Sequence, residues 1–390
     1  MRLAKIINRV SGLGSEKWAV HMEAKRLRMA GEKLIFLSIG EPDLPPPPAI
    51  VDVACKQMKA GRTKYAGGHG ELALREALAR HYAKQTGRPI SADQFLFLPG
   101  TQTALALAFM SIIEPGDEVI LFDPYYATYE AVVSAPGGMP VPVMLDPDKG
   151  FHPDLAALER AITPRTKAIL LNSPSNPTGA VFTPAEIAAI GAVAKKHDLW
   201  IVSDEVYATL VHEGHSFSSP FADKTLEERV IVCSSISKSH ALPGFRCGWI
   251  AASEDYCARV VSLSETLLFG SQPFLEDATA FALSNEFAET KLMQQLYVAR
   301  GRALVEGLRG SNKVSAQMPE GGMFVMVDVR RTGLSGDEFA WRLLREKGVV
   351  TMPGESFGTS AAGHLRVALT VGEEEMREAA SRIGALAAAV

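Results

Sequence analysis

The sequence predicts an α/β protein in which a large unit, built on a mostly parallel sheet buried on both faces, is joined to a smaller α+β unit. Three observations point there. From about residue 94 onward, short unbroken apolar runs alternate with stretches of helical spacing, the pattern of strands covered on both sides. After about residue 285 the order changes to one long amphipathic helix followed by a mixture of strands and helices. A chain of 390 residues is also long enough to bury two cores. The division that follows is an N-terminal segment over 1–44 packing with the small domain, a large domain over 45–285, and a small C-terminal domain over 286–390.

In chain order, "KWAVHMEAKRLRMAG" has helical spacing, and Pro45 to Pro48 make a stiff extended link. The runs "QFLFL", "EVILF", "KAILLN", "LWIVSD", "RVIVCSS" and "GWIAAS" read as strands. Between them, "TALALAFMSII" and "EIAAIGAVAKKH" read as helices. In the second unit, "FAETKLMQQLYVARGRALVEGLRG" is the long helix. It is followed by strand "GMFVMVDV", helix "GDEFAWRLLREKG", strands "VVTMP" and "HLRVALTV", and a helix from about Gly372.

A formal net charge of −4, with 22% charged and 47% hydrophobic residues, argues against an electrostatic grip on nucleic acid or anionic membrane and leaves a small molecule as the expected partner. Cys55, Cys233, Cys247 and Cys257 show neither a C-x-x-C pair nor zinc-type spacing, so no metal or disulfide frame is expected. The first residues lack a secretory signal and the longest apolar stretch is too short to span a bilayer, so a cytoplasmic location is expected.

In an open α/β sheet, ligands sit at the carboxyl ends of the strands. After "QFLFLP", Gly100-Thr101-Gln102-Thr103 opens an apolar helix and offers a phosphate seat, or else an ordinary turn capped by Thr101 or Thr103. After "EVILF" come Tyr125 and Tyr126, a flat aromatic face or simple rim packing. "NSPSNPTG" over residues 172–179 is a turn that fixes Asn176. "SDEVY" places a carboxylate, Asp204, at a strand end, either as a helix cap or as a partner for a protonated ring nitrogen, with the Tyr207 phenol beyond it. "SSISKSHALPGFRCGW" over 234–249 gathers Ser235, Lys238 and Arg246 on one loop. A lone lysine there is ordinarily solvated; in a partly dry site it is an amine able to form a Schiff base. A phosphate seat, a flat aromatic ring, a ring-nitrogen carboxylate, a phenol, an amide and such a lysine are together what pyridoxal phosphate requires of its host.

These motifs, with "LSIGEPD" and "HLRVAL", resemble the class I aminotransferases of the fold-type I pyridoxal phosphate enzymes along nearly the whole chain. Within that family, "SKSHA", "GGMFVMVDVR" and "SAAGHLR" are most similar to bacterial arginine–pyruvate transaminases. The resemblance implies pyridoxal 5'-phosphate as cofactor, with Lys238 as Schiff-base lysine and proton shuttle and Asp204 on the pyridine nitrogen. Tyr207 and Asn176 would meet the ring hydroxyl, and Tyr126, or else Tyr125, would stack on the ring. Ser235, Arg246 and the Gly100-Thr101-Gln102 turn would bind the phosphate, the side chains of that turn being larger than is usual in the family, and Tyr65 would reach in from a second subunit of a homodimer. Arg366 would clamp the substrate carboxylate with Asn176 and the backbone of Gly40. The implied reaction is a ping-pong transfer of an amino group from an L-amino acid, arginine or another basic or long side chain first, to a 2-oxo acid such as pyruvate. Trp18, Tyr65 and Glu41 are candidates for reading the substrate side chain. A β-lyase acting on cysteine conjugates would use the same residues, and a non-catalytic regulator would use the same fold.

Overall fold

The computed structural model describes residues 3–13 and 16–390. Its large sheet has seven strands: β1 (Phe95–Leu98), β2 (Glu118–Asp123), β3 (Met139–Met144), β4 (Thr166–Asn172), β5 (Trp200–Asp204), β6 (Val230–Ser235) and β7 (Gly248–Ala251). They lie in the order β1-β7-β6-β5-β4-β2-β3, and only β7 runs antiparallel to its neighbours. Because successive side chains of a strand point to opposite faces, each strand feeds two cores. Phe95 and Phe97, with Ile120, Ile201 and Val232, enter one. Leu96 and Leu98, with Leu121, Val202 and Cys233, enter the other. Helix α1 (Leu72–Thr86) lies on the first face and α2 (Thr101–Ile112) on the second.

Strand β3, "MPVPVM", was not foreseen from the sequence. Pro140 and Pro142 lack the N–H that a central strand must donate on both sides, so the segment is tolerated only at the edge, beside β2. Of the four prolines expected in the link, Pro48 instead starts a helix, Pro48–Lys59, where its missing N–H costs nothing.

A second sheet is antiparallel, in the order β10-β11-β9-β8, from β8 (Ser315–Ala316), β9 (Phe324–Asp328), β10 (Met352–Pro353) and β11 (His364–Ala368). Three helices, α3 (Ala288–Leu308), α4 (Gly336–Lys347) and α5 (Glu373–Ala389), share its core. The run "VVTMP" divides: Val349–Val350 pairs in parallel with Ile35–Phe36, and only Met352–Pro353 joins the sheet. The helix Ala19–Met29 packs on α4, whereas Lys5–Val10 lies on the large unit, where Arg9 donates to the carbonyls of Ser134 and Ala135. Among the described residues, no helix is long and apolar enough to cross a membrane.

Candidate active site

The carboxyl ends of β1, β2, β4, β5 and β6 share one edge of the large sheet, and β7 begins there because Gly248 pairs with both Leu98 and Ser235. A cavity of about 430 Å³ opens at this edge, between the two sheets. Of the residues singled out from the sequence, Gly40, Thr101, Gln102, Tyr126, Asn176, Asp204, Tyr207, Ser235, Lys238, Arg246 and Arg366 line it, as do Trp18 and Glu41.

Lys238 stands in the short helical turn Ile236–Ser239 that follows β6, and its Nζ donates to the Gly40 carbonyl at 2.7 Å. Burial pulls its pKa down to about 8; Arg366 and Arg246 pull the same way, while Glu41 and Asp204 oppose them. Asp204 closes β5 and is 5% exposed. Burial pushes its pKa up to about 6, restrained by two donors: the Tyr129 hydroxyl to Oδ2 at 2.7 Å and the Val206 N–H to Oδ1 at 3.1 Å. No helix follows at once, so Asp204 caps only a local turn, and one oxygen serves that turn while the other meets Tyr129.

Arg366 lies in β11, paired with Met326 on one side and Met352 on the other, and is 1% exposed. Phe324 and Phe357 stack near its guanidinium at 4.3 and 4.4 Å, Nη1 donates to Asn176 Oδ1 at 2.9 Å, and Nη2 donates to the Ser38 carbonyl. Its Nε has no partner among the described residues. A buried guanidinium with an unspent donor, beside a cavity, is built for an incoming carboxylate. Asn176 is held in turn through its own N–H, which donates to Asn172 Oδ1 at 2.8 Å.

At the opposite end, Gly100 (φ +84°) precedes α2, and neither Thr101 nor Thr103 caps that helix. Thr101 Oγ1 instead donates to Ser235 Oγ at 2.9 Å and Thr103 Oγ1 to the Pro99 carbonyl at 3.0 Å. A Cβ on Gly100 would come within 2.4 Å of Arg246 Nη2, so only glycine lets the guanidinium lie against this turn. Free N–H groups at the start of a twelve-residue helix, two hydroxyls and a guanidinium form an anion seat.

The two tyrosine candidates separate. Tyr126 lines the cavity. Tyr125 is turned away, its hydroxyl donating to Glu130 at 2.6 Å. Tyr65 is not brought to the cavity by this chain: it is 82% exposed and packs edge-on against Phe269 with ring centroids 4.8 Å apart. Sequence reasoning missed Tyr129, and the only signal was its place three residues after Tyr126.

This donor set fits pyridoxal phosphate. An anion seat at one end and an unspent guanidinium at the other are separated by a lysine, a carboxylate, a phenol and an aromatic face, and the volume lies in the range of small-cofactor sites.

Comparison with known proteins agrees with this geometry. The family described as aminotransferase class I and II matches residues 32–383. Arginine–pyruvate transaminase of Pseudomonas aeruginosa is 40% identical over 388 residues, covering 100% of this chain and 98% of that one. Aspartate/prephenate aminotransferase of Thermus thermophilus is 35% identical over 367 residues, covering 93% and 94%. Among solved structures, aspartate aminotransferase from Thermus thermophilus with maleate superposes with a TM-score of 0.92 at 34% identity, covering 99% of this chain and 100% of that one. The aspartate aminotransferase from Rhizobium meliloti gives 0.94 at 27%, covering 100% and 99%.

Proposed function

This chain belongs to the class I and II aminotransferases, a family of pyridoxal-phosphate-dependent transaminases, and from that premise we propose that it moves the amino group of a basic or long L-amino acid, arginine first, to pyruvate. The observation that carries the reading is the meeting of Lys238, Asp204 and Arg366 in one cavity.

Pyridoxal phosphate bound there supplies a carbonyl carbon that takes amine nitrogen and a protonated ring that stores the electron pair left when an α-proton departs. The chain's residues do the rest. Ser235, Arg246 and the N–H groups after Gly100 hold the phosphate. Asp204, already gripped by Tyr129 and Val206, keeps the ring nitrogen charged. Tyr207 and Asn176 would serve the ring hydroxyl and Tyr126 would supply the aromatic face, all three lining the cavity. Arg366 would take the substrate α-carboxylate through its unspent Nε and the remaining N–H groups of its fork, keeping its tie to the Ser38 carbonyl. Lys238, parked on the Gly40 carbonyl and only weakly basic for a lysine, removes the proton from the substrate α-carbon and returns it elsewhere.

The donor preference rests on Glu41, which lines the mouth next to Gly40, and on the name of the Pseudomonas relative. A guanidinium entering this partly dry space requires a carboxylate. The exposed Tyr65–Phe269 pair supports a homodimer in which Tyr65 reaches the partner's site. A cytoplasmic enzyme is the corresponding setting. A panel of amino donors assayed against pyruvate and 2-oxoglutarate tests the assignment, and a chain that transaminates none of them overturns it.

A further inference from the structure

Asp204 and Glu205 are consecutive, buried, and aimed to opposite sides of the end of β5. Asp204 meets the active-site cavity. Glu205 meets a second, small space of about 30 Å³ on the far side of the Lys238 turn, lined by His81, Tyr82, Ser234, Ser239, His240 and Trp249 among others. Oε1 of Glu205 accepts from Ser203 Oγ at 2.9 Å and from Ser219 Oγ at 2.5 Å, whereas Oε2 has no partner among the described residues.

Among the described residues, no lysine or arginine lines this space. The titratable groups around Glu205 are His81 and Tyr82 from α1, His240 after the lysine turn, Cys233 on β6 and Asp204 beside it. Burial pulls both histidines below their usual value, His240 to about 4, so neither is a cation at neutral pH. Tyr82 and Cys233 are pushed upward and stay neutral. A carboxylate here would be a buried charge with one oxygen unserved and no counter-ion, the arrangement that proteins avoid. A neutral acid has a proton to give from Oε2, and the space is large enough for one water with polar neighbours.

We propose that Glu205 is a positioning residue held as a neutral acid, donating from Oε2 to a single water that braces the Lys238 turn from behind through Ser234 and the Ser239–His240 end. The direction of its titration agrees: burial and the neighbouring Asp204 raise it, to about 7. A neutral Glu205 leaves Asp204 as the carboxylate that answers a cofactor nitrogen; this consequence alone rests on the proposed function.

The test is the infrared carbonyl stretch of a protonated carboxylic acid in the cofactor-free chain at pH 6, which does not depend on activity. The band is expected in the wild type, and its Glu205 component disappears in Glu205→Gln. Glu276, whose Oε1 is also unpartnered and whose pKa is likewise raised to about 7, contributes a second component, removed by Glu276→Gln, and Asp204, raised to about 6, a third, removed by Asp204→Asn and untouched by glutamate labelling. If Glu205→Gln does not fold, protein carrying ¹³C-labelled glutamate and Glu276→Gln still shows the labelled Glu205 band. In the pyridoxal-phosphate-loaded enzyme, Glu205→Ala lowers kcat about tenfold and Glu205→Gln restores most of it, while the pH midpoint of the visible absorption moves by less than about 0.3 unit in the Gln variant. Absence of the labelled band, or a midpoint shift of about half a unit or more in Glu205→Gln, overturns the proposal by showing an ionised Glu205. A chain inactive with every donor that still shows the band overturns the functional reading and leaves the neutral acid standing.

Discussion

The phenol of Tyr129 donates to Oδ2 of Asp204 at 2.7 Å, with both side chains buried at the end of β5. A hydrogen bond to a charged group favours the charged form, so this contact works against the burial that raises Asp204. In Tyr129→Phe the restraint is gone and the Asp204 pKa moves above about 6. With a charged hydrogen bond worth about 1.5–3 kcal/mol, kcat/KM at pH 7 falls roughly tenfold to a hundredfold and the acid limb of its pH profile moves upward. An unmoved acid limb would mean that Tyr129 only fills space.

That contact also shows where the sequence stops being legible. Lys238, Asp204, Asn176 and Arg366 stand in runs whose composition names their chemistry, and β-strand ends are where chemistry is looked for. Tyr129 is one of several tyrosines after β2, and which of them turns inward depends on backbone direction, not on residue type. Tyr125 and Tyr126 are adjacent and face different surroundings for the same reason. The strand Met139–Met144 was hidden because two prolines are a valid objection to a central strand and none to an edge one. The antiparallel sense of β7 was likewise invisible, since an apolar run carries no direction. Tyr65 does not line the cavity of its own chain, and the role proposed for it depends on an assembly that one sequence does not display.

Lys238→Ala is expected to abolish transamination, with a loss of at least about four orders of magnitude, because the amine that meets the carbonyl and moves the proton is the same group. Pyridoxal phosphate still binds through its phosphate, read as cofactor retained on gel filtration at neutral pH. Turnover near the wild-type value would remove the basis of the mechanism.

Asp204 also makes a statement about stability in the cofactor-free chain. The unfolded chain releases this proton near pH 4, the folded chain near about 6. Between those values the folded state binds more protons, so its stability falls as pH rises through the window, by roughly 2–3 kcal/mol. Asp204→Asn removes that fall and is the more stable protein at pH 7. Denaturant midpoints from pH 4 to 7 check this: parallel curves for the two proteins would show that Asp204 is not strained by burial.

Arg366 is sandwiched between Phe324 and Phe357 in a space shaped for a planar group. Arg366→Lys keeps a charge yet loses the fork, so KM for amino donor and 2-oxo acid alike rises by about two orders of magnitude, while kcat changes less. Equal losses in kcat and kcat/KM would place the arginine in the transition state alone.

The last prediction concerns the donor. Glu41 follows Gly40, whose carbonyl receives Lys238, and that segment is tied to the second sheet by Arg366 to the Ser38 carbonyl and to α3 by Arg300, which pairs with both oxygens of Asp43 at 2.8 and 2.7 Å. The Glu41 carboxylate is therefore carried on a braced segment at the cavity mouth, close enough to raise Lys238. A guanidinium arriving there finds its charge matched; an aspartate side chain finds a like charge. Glu41→Gln is expected to raise KM for arginine about twofold to fivefold and leave alanine unchanged, since Glu41 is exposed and an exposed ion pair is worth roughly 0.2–1 kcal/mol. Steady-state kinetics with both donors against pyruvate decides it. If wild-type kcat/KM for aspartate exceeds that for arginine tenfold, or if Glu41→Gln weakens both donors equally, Glu41 does not read the side chain, and the cavity is set for a different substrate.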